Sequence, residues 1–493
     1  MAKADLKLEN IISFCKRKGF ILPSSEIYGG IGALYDYGPL GSLLKNKVKD
    51  RWWKAMTRRA DIEGIDAAIL MHPKVWKASG HVDAFCDPLI DDKDSKQRFR
   101  ADQLIEEQIA KLRKKKKDDK ADALHAALTA ALNADDACTA LHELIISNEI
   151  KSPASGSMNW TDVRQFNLMF GTKLGAVDAD AQDIYLRPET AQGIFVNFHH
   201  VRETMRRSLP FGIAQIGKAF RNEIVARQFV FRMREFEQME MQYFIKPGAQ
   251  KEHFEAWLDT RKAWHIGNGI AKENLRTHEH EKLAHYADAA IDIQYKYPMG
   301  WQEVEGIHSR TDFDLKQHAE FSGKKQDYFD AADDTHYIPY VVETSVGLDR
   351  TILMLLCDAY NEEEIVTQTD KGEKVDKRTV LNILPELAPV TAAVFPLVKK
   401  DGMPEMAKKI LTDLMKRFDT RYDDKGAIGR RYRRMDEIGT PFCITVDGES
   451  VSDSTVTIRH RDTMAQERIS VNKISDYIAN GGCCETASRR EKA

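Results

Sequence analysis

Between Asp5 and Lys18, apolar and charged positions alternate at helical spacing, which predicts an amphipathic helix. A glycine-punctuated stretch follows from Tyr28 to Gly41 (YGGIGALYDYGPLG), and a second helical pattern runs from about Ser42 to Arg59. Residues 91–150 differ. Behind the run Lys114-Lys115-Lys116-Lys117, an Ala/Leu rhythm predicts a helical insertion with a charged, solvated face. A surface hairpin and a contact with an RNA backbone both fit it. From about Asp183 to Leu356, strand-like and helical segments mix, and most of the unusual polar residues fall there. Thr367 to Arg378 (TQTDKGEKVDKR) is poor in apolar residues and predicts a linker or exposed loop. Past Pro385 the pattern alternates. AAVFPLV reads as a strand, PEMAKKILTDLMKRF as a helix, TRYDD as a short strand and AIGRRYRRMDEIG as a helix. PFCITVD is again a strand, VTIRHRDT opens a hairpin, and VNKISDYIANGG closes as a helix. That order implies a small α/β domain with a mixed or parallel sheet.

At 493 residues the chain exceeds one compact core and suggests about three domains. With 42% hydrophobic and 30% charged residues it is not a mainly disordered chain. No stretch approaches the ~20 apolar residues of a membrane span, so no membrane partner is expected. Lys+Arg 73 against Asp+Glu 76 names no partner, so any nucleic-acid contact needs local basic patches. The cysteines (Cys15, Cys86, Cys138, Cys357, Cys443, Cys483 and Cys484) are odd in number, scattered and without C-x-x-C spacing. Neither a disulfide framework nor a zinc site is expected. The N-terminus lacks a signal layout, so the cytoplasm is the expected compartment.

Gly212 to Lys218 has P-loop spacing, but Ala219 stands where a Mg²⁺-binding hydroxyl belongs, and FGIAQIG reads as a strand. His265-Ile266-Gly267-Asn268 resembles the HIGH signature of class I aminoacyl-tRNA synthetases by chance, since no KMSKS-like segment follows. More informative is Phe220 to Phe244 (FRNEIVARQFVFRMREFEQMEMQYF), where two apolar-framed runs flank a polar loop, as in an antiparallel hairpin. On a strand, Arg232, Arg234, Phe236, Gln238, Glu240 and Gln242 share one face. A buried face would not carry such groups unpaired. A solvated edge strand laced with salt bridges would, and so would a nucleotide site. Arginine forks bind phosphate, and an aromatic ring stacks on a purine. In Pro339 to Arg350, Val341, Glu343 and Ser345 share a strand face, and Arg350 falls in the first turn of the next helix, where anions are favoured. Leu186 to Gly193 and Gly300 to Gly306, leading to Arg310, are further polar segments. Each alone also fits ordinary loop or turn polarity.

Together these segments resemble the motifs of class II aminoacyl-tRNA synthetases. YGGIGALYDYGPLG, RFRADQL, LRPETAQGIF, AQIGKAFRNE, REFEQMEMQYF, GWQEVEGIHSRTDFDL, VVETSVGLDR and GRRYRRMDEIGTPF are similar, in this order, to glycyl-tRNA synthetases of the homodimeric type. The resemblance covers nearly the whole chain and is weakest near 105–150. It suggests the shorter, bacterial-style form, without an added N-terminal RNA-binding appendix. It implies an α/β fold: an α+β catalytic domain with an antiparallel sheet flanked by helices (1–90 and 151–384), the helical insertion (91–150) and a mixed α/β anticodon-binding domain (385–493). The implied activity is ATP-dependent glycyl-adenylate formation, then transfer of glycine to the 3′ end of tRNA(Gly).

The resemblance also implies residue roles. Arg221 and Arg350 are the expected catalytic residues. Around ATP it places Arg221, Asn222, Glu223, Phe231, Arg232, Phe236, Glu303, Val304, Gly347 and Arg350. Around glycine it places Arg100, Glu189, Phe236, Gln238, Glu240, Arg310, Glu343 and Ser345. Glu303 and Glu343 are the expected Mg²⁺ carboxylates. Arg430, Arg431, Arg433 and Arg434 form the expected tRNA-binding patch. Pro39 and the helix after it belong to a motif that builds a homodimer interface, where Trp52-Trp53 fits either the interface or the core. A class II synthetase for another small amino acid would differ only in the Glu189/Glu240/Ser345 pocket. A non-catalytic tRNA-binding paralogue would usually lose the motif arginines, and both are present.

Overall fold

The structure, a computed structural model, describes residues 6–175, 181–224, 228–280, 283, 287–369 and 372–482. Cys483, Cys484 and Val225 to Arg227 of the hairpin loop lie outside the described residues. The first helix, α1 (Leu8–Lys18), buries Ile11, Phe14 and Cys15 and ends at Gly19, whose φ of 74° is the left-handed cap that glycine adopts at little cost. Helix α2 (Pro39–Thr57) starts on a proline, whose fixed φ suits a first turn, and buries Leu44, Val48, Trp52 and Met56. Trp53 packs on Gly64, where a Cβ would come within 2.4 Å of its ring. Trp52 is therefore core packing, and Trp53 is partly buried against the same core.

The insertion is a small unit with its own core. Helices α3 (Ala101–Lys114), α4 (Asp118–Leu132) and α5 (Ala137–Ser147) accompany a three-stranded sheet of Cys86–Asp91, Arg98–Arg100 and Arg164–Asn167. Its buried residues run from Ile90 to Val163, so it is wider than the helical block at 91–150. The flanking strands carry no helical periodicity to mark them.

A seven-stranded sheet forms the centre. Its strands are β1 (Ile62–Ile65), β2 (Phe211–Phe220), β3 (Glu235–Ile245), β4 (Leu275–Glu279), β5 (Ala289–Tyr297), β6 (Gly300–Thr311) and β7 (Tyr340–Gly347), in the order β4-β5-β6-β7-β3-β2-β1. Neighbours are antiparallel except β1 and β2. The P-loop-like segment is thus strand β2, and Gly300 to Gly306 is strand. Alternation divides the sheet. Met239, Met241, Tyr243, Ile307, Val342 and Val346 enter one core on the back face. Helix α2 packs there with α7 (Gln250–Gly267) and α9 (Leu348–Ala359). The front face carries polar groups in register: Gln238 opposite Gly347, Glu240 opposite Ser345 and Gln242 opposite Glu343. At its far end, Ile213, Phe244 and Val341 are covered by Phe195 of α6 (Ala191–Phe195) and Leu315 of α8 (Phe313–Ser322).

Thr367 to Arg378 is not a linker. It lies within an antiparallel hairpin of β8 (Tyr360–Thr369) and β9 (Gly372–Leu381), with Tyr360 opposite Leu381. Backbone pairing sets this hairpin, and apolar content does not report it. Asp370 and Lys371 are outside the described residues. The last sheet is mixed, ordered β11 (Thr420–Tyr422), β10 (Ala392–Pro396), β12 (Phe442–Val446), β13 (Thr455–His460), β14 (Gln466–Ser470), with parallel pairs around β10 and antiparallel pairs beyond. Helices α10 (Met403–Leu414), α11 (Ile428–Glu437) and α12 (Ile474–Ala479) accompany it. A buried ionic joint ties this part to the rest. Arg378 donates to Asp436 at 3.0 Å and Glu363 at 2.7 Å, and Arg459 also holds Asp436, at 2.8 Å.

Candidate active site

The front face of β3, β6 and β7 floors a cavity of about 210 Å³. Its wall includes Glu189, Arg221, Glu223, Phe231, Arg232, Phe236, Gln238, Glu240, Glu303, Arg310, Glu343, Ser345, Gly347 and Arg350. Residues from five separate parts of the sequence thus meet in one hollow.

One end is cationic. Arg350, in the first turn of α9, lies 4.4 Å from the Phe231 ring centre and is anchored by the Phe231 carbonyl at 3.2 Å and the Glu303 carboxylate at 3.0 Å. Arg221 sits 5.3 Å from the ring centres of both Phe236 and Phe85, with its Nε donating to Pro188 O at 3.1 Å. Arg232 reaches Glu223 at 3.5 Å. Arg221 is held by a carbonyl and two rings, which fix its direction and leave its charge for an anion, while Arg350 and Arg232 each share theirs with one carboxylate. The polar face begins at Phe236, because β3 starts at Glu235. Arg234 turns away to the carbonyls of Glu223 and Gly32, both at 3.0 Å.

The other end is acidic and crowded. Glu343 accepts from His308 at 2.7 Å through Oε1, and from Gln242 at 2.6 Å and Arg310 at 3.0 Å through Oε2. Burial alone would raise its pKa, but Arg310 and His308 outweigh it and hold the carboxyl at about 2. Glu189 accepts from Gln192 at 2.9 Å and lies 3.4 Å from His81. Against burial, His81 and then Arg310 keep it below the ordinary carboxylate range. Arg310 itself is claimed by Asp314 at 2.9 and 3.0 Å. Glu240 has no such cation. It accepts from the Thr190 hydroxyl and, at 3.4 Å, from Gln242. Burial first, then the charges of Glu343 and Glu189, push Glu240 well above the ordinary range. Glu240 is thus a buried carboxyl hydrogen-bonded only by neutral donors.

Some expected residues lie elsewhere. Arg100 is off the cavity wall, bridging Asp87 at 2.9 Å and Asp102 at 2.5 Å. Asn222 is also off the wall and donates its backbone N–H to Leu168 O. Val304, at the bulge where β6 gains a residue over β5, is buried in the back-face core. The basic patch narrows too. Arg431 is buried, with Nη2 on Gly426 O at 2.7 Å, and Arg434 pairs with Asp423 at 2.8 Å, leaving Arg430 and Arg433 as the exposed pair. The HIGH-like His265 is fully buried against Glu305, at 2.7 Å. Sequence reasoning gave no role to His308 or Thr190, and it placed Gln242 on the polar face without a partner. His308 shares strand parity with Gly306 and Arg310, a signal that could have found it.

The seven-stranded sheet and the two-ended cavity define the core of a class II aminoacyl-tRNA synthetase. The family description "tRNA synthetase class II core domain (G, H, P, S and T)" matches residues 172–359. "Glycyl-tRNA synthetase insertion domain 1" matches 87–121 and 113–168, and "Anticodon binding domain" matches 391–481. The glycine--tRNA ligase of Chlorobaculum tepidum is 56% identical over 474 residues, 96% of this chain and 99% of that protein. The ligases of Treponema denticola, at 50%, and Caldanaerobacter subterraneus, at 48%, also span 96% of this chain, and 98% and 97% of their own lengths. The chain belongs to the glycine--tRNA ligase family.

Proposed function

We propose that this cavity joins glycine to tRNA(Gly) in two steps. Glycine's carboxylate attacks the α-phosphate of ATP, giving glycyl-adenylate and pyrophosphate, and the 3′-terminal ribose of the tRNA then takes the glycyl group. The chemistry needs no covalent protein intermediate. Catalysis is positioning plus stabilisation of charge on the phosphates. Arg221 serves the α-phosphate and its transition state. Arg350 serves the γ-phosphate, with Arg232 on the tail. The Phe236 ring stacks on adenine. Glu240 receives the ammonium of glycine, with Glu189 and Ser345 beside it, so Cα faces a rigid wall. One added methyl would overpack that wall, typically at about 1–3 kcal/mol.

Magnesium accompanies ATP in class II cores and neutralises the triphosphate. Glu303 is the better fit, because Arg350 engages only one of its oxygens, Oε2, at 3.0 Å. Glu343 fits poorly, because both its oxygens are engaged by His308, Gln242 and Arg310. The proposed division is 1–90 with 151–384 for catalysis, the insertion at 91–150 and 385–493 for the anticodon, with the insertion's core reaching a few residues into its flanks, from Ile90 to Val163. The working form is a homodimer. Ile27, Tyr28 and Ile31 are 89%, 87% and 58% exposed on the glycine-rich loop, the apolar cover that a second copy would bury. Among the described residues no helix is long and apolar enough to cross a membrane. The free thiols of Cys15, Cys86, Cys138, Cys357 and Cys443 suit a reducing cytoplasm.

The observation that carries the reading is the convergence of Arg221, Phe236 and Arg350 with an acid-lined hollow in one small cavity. ATP–pyrophosphate exchange with glycine, alanine and serine tests it, and only glycine should support exchange. Glu240→Gln should raise the glycine KM strongly and leave the ATP KM largely intact. Unchanged glycine kinetics would refute the assignment.

A further inference from the structure

Thr190 stands at the N-cap of α6, the position where a threonine hydroxyl normally accepts a hydrogen bond from its own helix. Here the hydroxyl makes no cap hydrogen bond. It crosses to the sheet and donates to Glu240 Oε2. The residue is fully buried and gripped on three sides. Its N–H donates to Gln238 Oε1 at 3.2 Å, and its carbonyl accepts from Gln215 Nε2 at 3.3 Å, while Gln215 Oε1 accepts from Ala67 N at 2.8 Å. Opposite, Gly217 leaves space chiefly for the Arg187 guanidinium, which a Cβ there would strike, and that Cβ would also lie 3.3 Å from the Thr190 methyl. Two adjacent strands thus hold one hydroxyl in place, and the helix forgoes its cap.

Glu240 has two oxygens and only neutral donors. Gln242 is the other, at 3.4 Å from Oε1, and it is already committed to Glu343 at 2.6 Å. The hydroxyl of Thr190 is therefore the firm restraint on the Glu240 carboxyl. With Oε2 occupied, Oε1 is the oxygen left for a cation. We propose that Thr190 is a positioning residue for the amino-acid substrate: it orients Glu240 so that one oxygen faces the ammonium of glycine. This rests on the reading of Glu240 as the ammonium partner.

The test compares Thr190→Val, Thr190→Ser and Glu240→Gln by glycine-dependent ATP–pyrophosphate exchange. Valine keeps the shape and removes the donor, and the helix loses no cap because there is none to lose. Thr190→Val should raise the glycine KM by about tenfold or more, the scale of one hydrogen bond to a charged group, with the ATP KM within about twofold. Thr190→Ser should restore most of the loss. If Thr190→Val leaves the glycine KM unchanged while Glu240→Gln raises it, the positioning role is overturned and the site reading stands. If neither variant changes the glycine KM, the site reading itself fails. Equal damage to the glycine and ATP KM in Thr190→Val, without rescue by serine, would mean a merely structural threonine and also overturns the proposal.

Discussion

At the scale of single residues, the acidic end trades stability for recognition. A carboxyl whose pKa is raised by folding binds a proton more tightly folded than unfolded. Between the ordinary value of about 4.3 and the raised one, the folded state holds the extra proton, so stability falls as pH rises. Glu240 is in that position, through burial and two neighbouring carboxylates. Glu189 and Glu343 have the opposite sign. Their depressed values contribute stability above the ordinary carboxylate range, lost as pH falls toward the folded value. Glu240→Gln should therefore be more stable than the parent chain by roughly 1–2 kcal/mol or more near pH 8, with the gap closing near pH 4. Urea unfolding at the two pH values measures it. A gap that is constant, or that grows toward acid, would show that Glu240 is not the carboxyl holding the proton. The same variant should bind glycine poorly. Stability was given up at the residue where function needs an unpaired acid.

At the scale of elements, helix α7 is pinned to the back of the sheet by a buried ion cluster. Arg261 Nε donates to Glu305 Oε1 at 2.5 Å, and His265 meets Oε2 at 2.7 Å, all within the core. Against burial, Arg261 and His265 hold Glu305 below the ordinary range. Removing one partner leaves a bare charge in the interior. Glu305→Ala should cost about 3–5 kcal/mol in equilibrium unfolding. A loss under about 1 kcal/mol would mean that water reaches the cluster. This element also shows what a sequence can and cannot tell. The parity of Gln238, Glu240 and Gln242, with Glu343 and Ser345, was readable because strand alternation is a local rule. The role of His265 was not, since a motif-like tetrapeptide and a core histidine differ only in what packs on them. Arg234 misled for a related reason. It continues the parity of β3 on paper, but the short helical turn at Phe229 to Phe231 precedes the strand, and Arg234 turns to backbone carbonyls while Arg232 still lines the cavity. Arg100 matched a motif by order, yet two aspartates close by claim its guanidinium first.

At the scale of the whole molecule, the question is how the C-terminal part can be tested without disturbing the catalytic part. Deleting residues after about 385 would leave Arg378 without Asp436 and strip Leu40 of α2 of the apolar cluster it packs against, which includes Val390, Phe395 and Ile438. Lost activity would then report a broken joint as readily as a lost RNA contact. A surface change is the cleaner probe. Arg430 and Arg433 are the most open arginines of the basic helix, since Arg431 is buried on Gly426 and Arg434, though partly exposed, pairs with Asp423. If α11 meets the tRNA backbone, reversing both charges should weaken tRNA binding about equally at all sequences and flatten the dependence of log Kd on log salt by roughly 1–2, the contribution of one or two phosphate contacts. Glycine-dependent pyrophosphate exchange should stay at the parent rate, since neither residue touches the cavity. Filter binding of Arg430→Glu/Arg433→Glu over a salt series, run beside the exchange assay, separates the outcomes. An unchanged salt slope would move the RNA contact off this helix, with the exposed Lys114 to Lys117 of the insertion as the next surface to test.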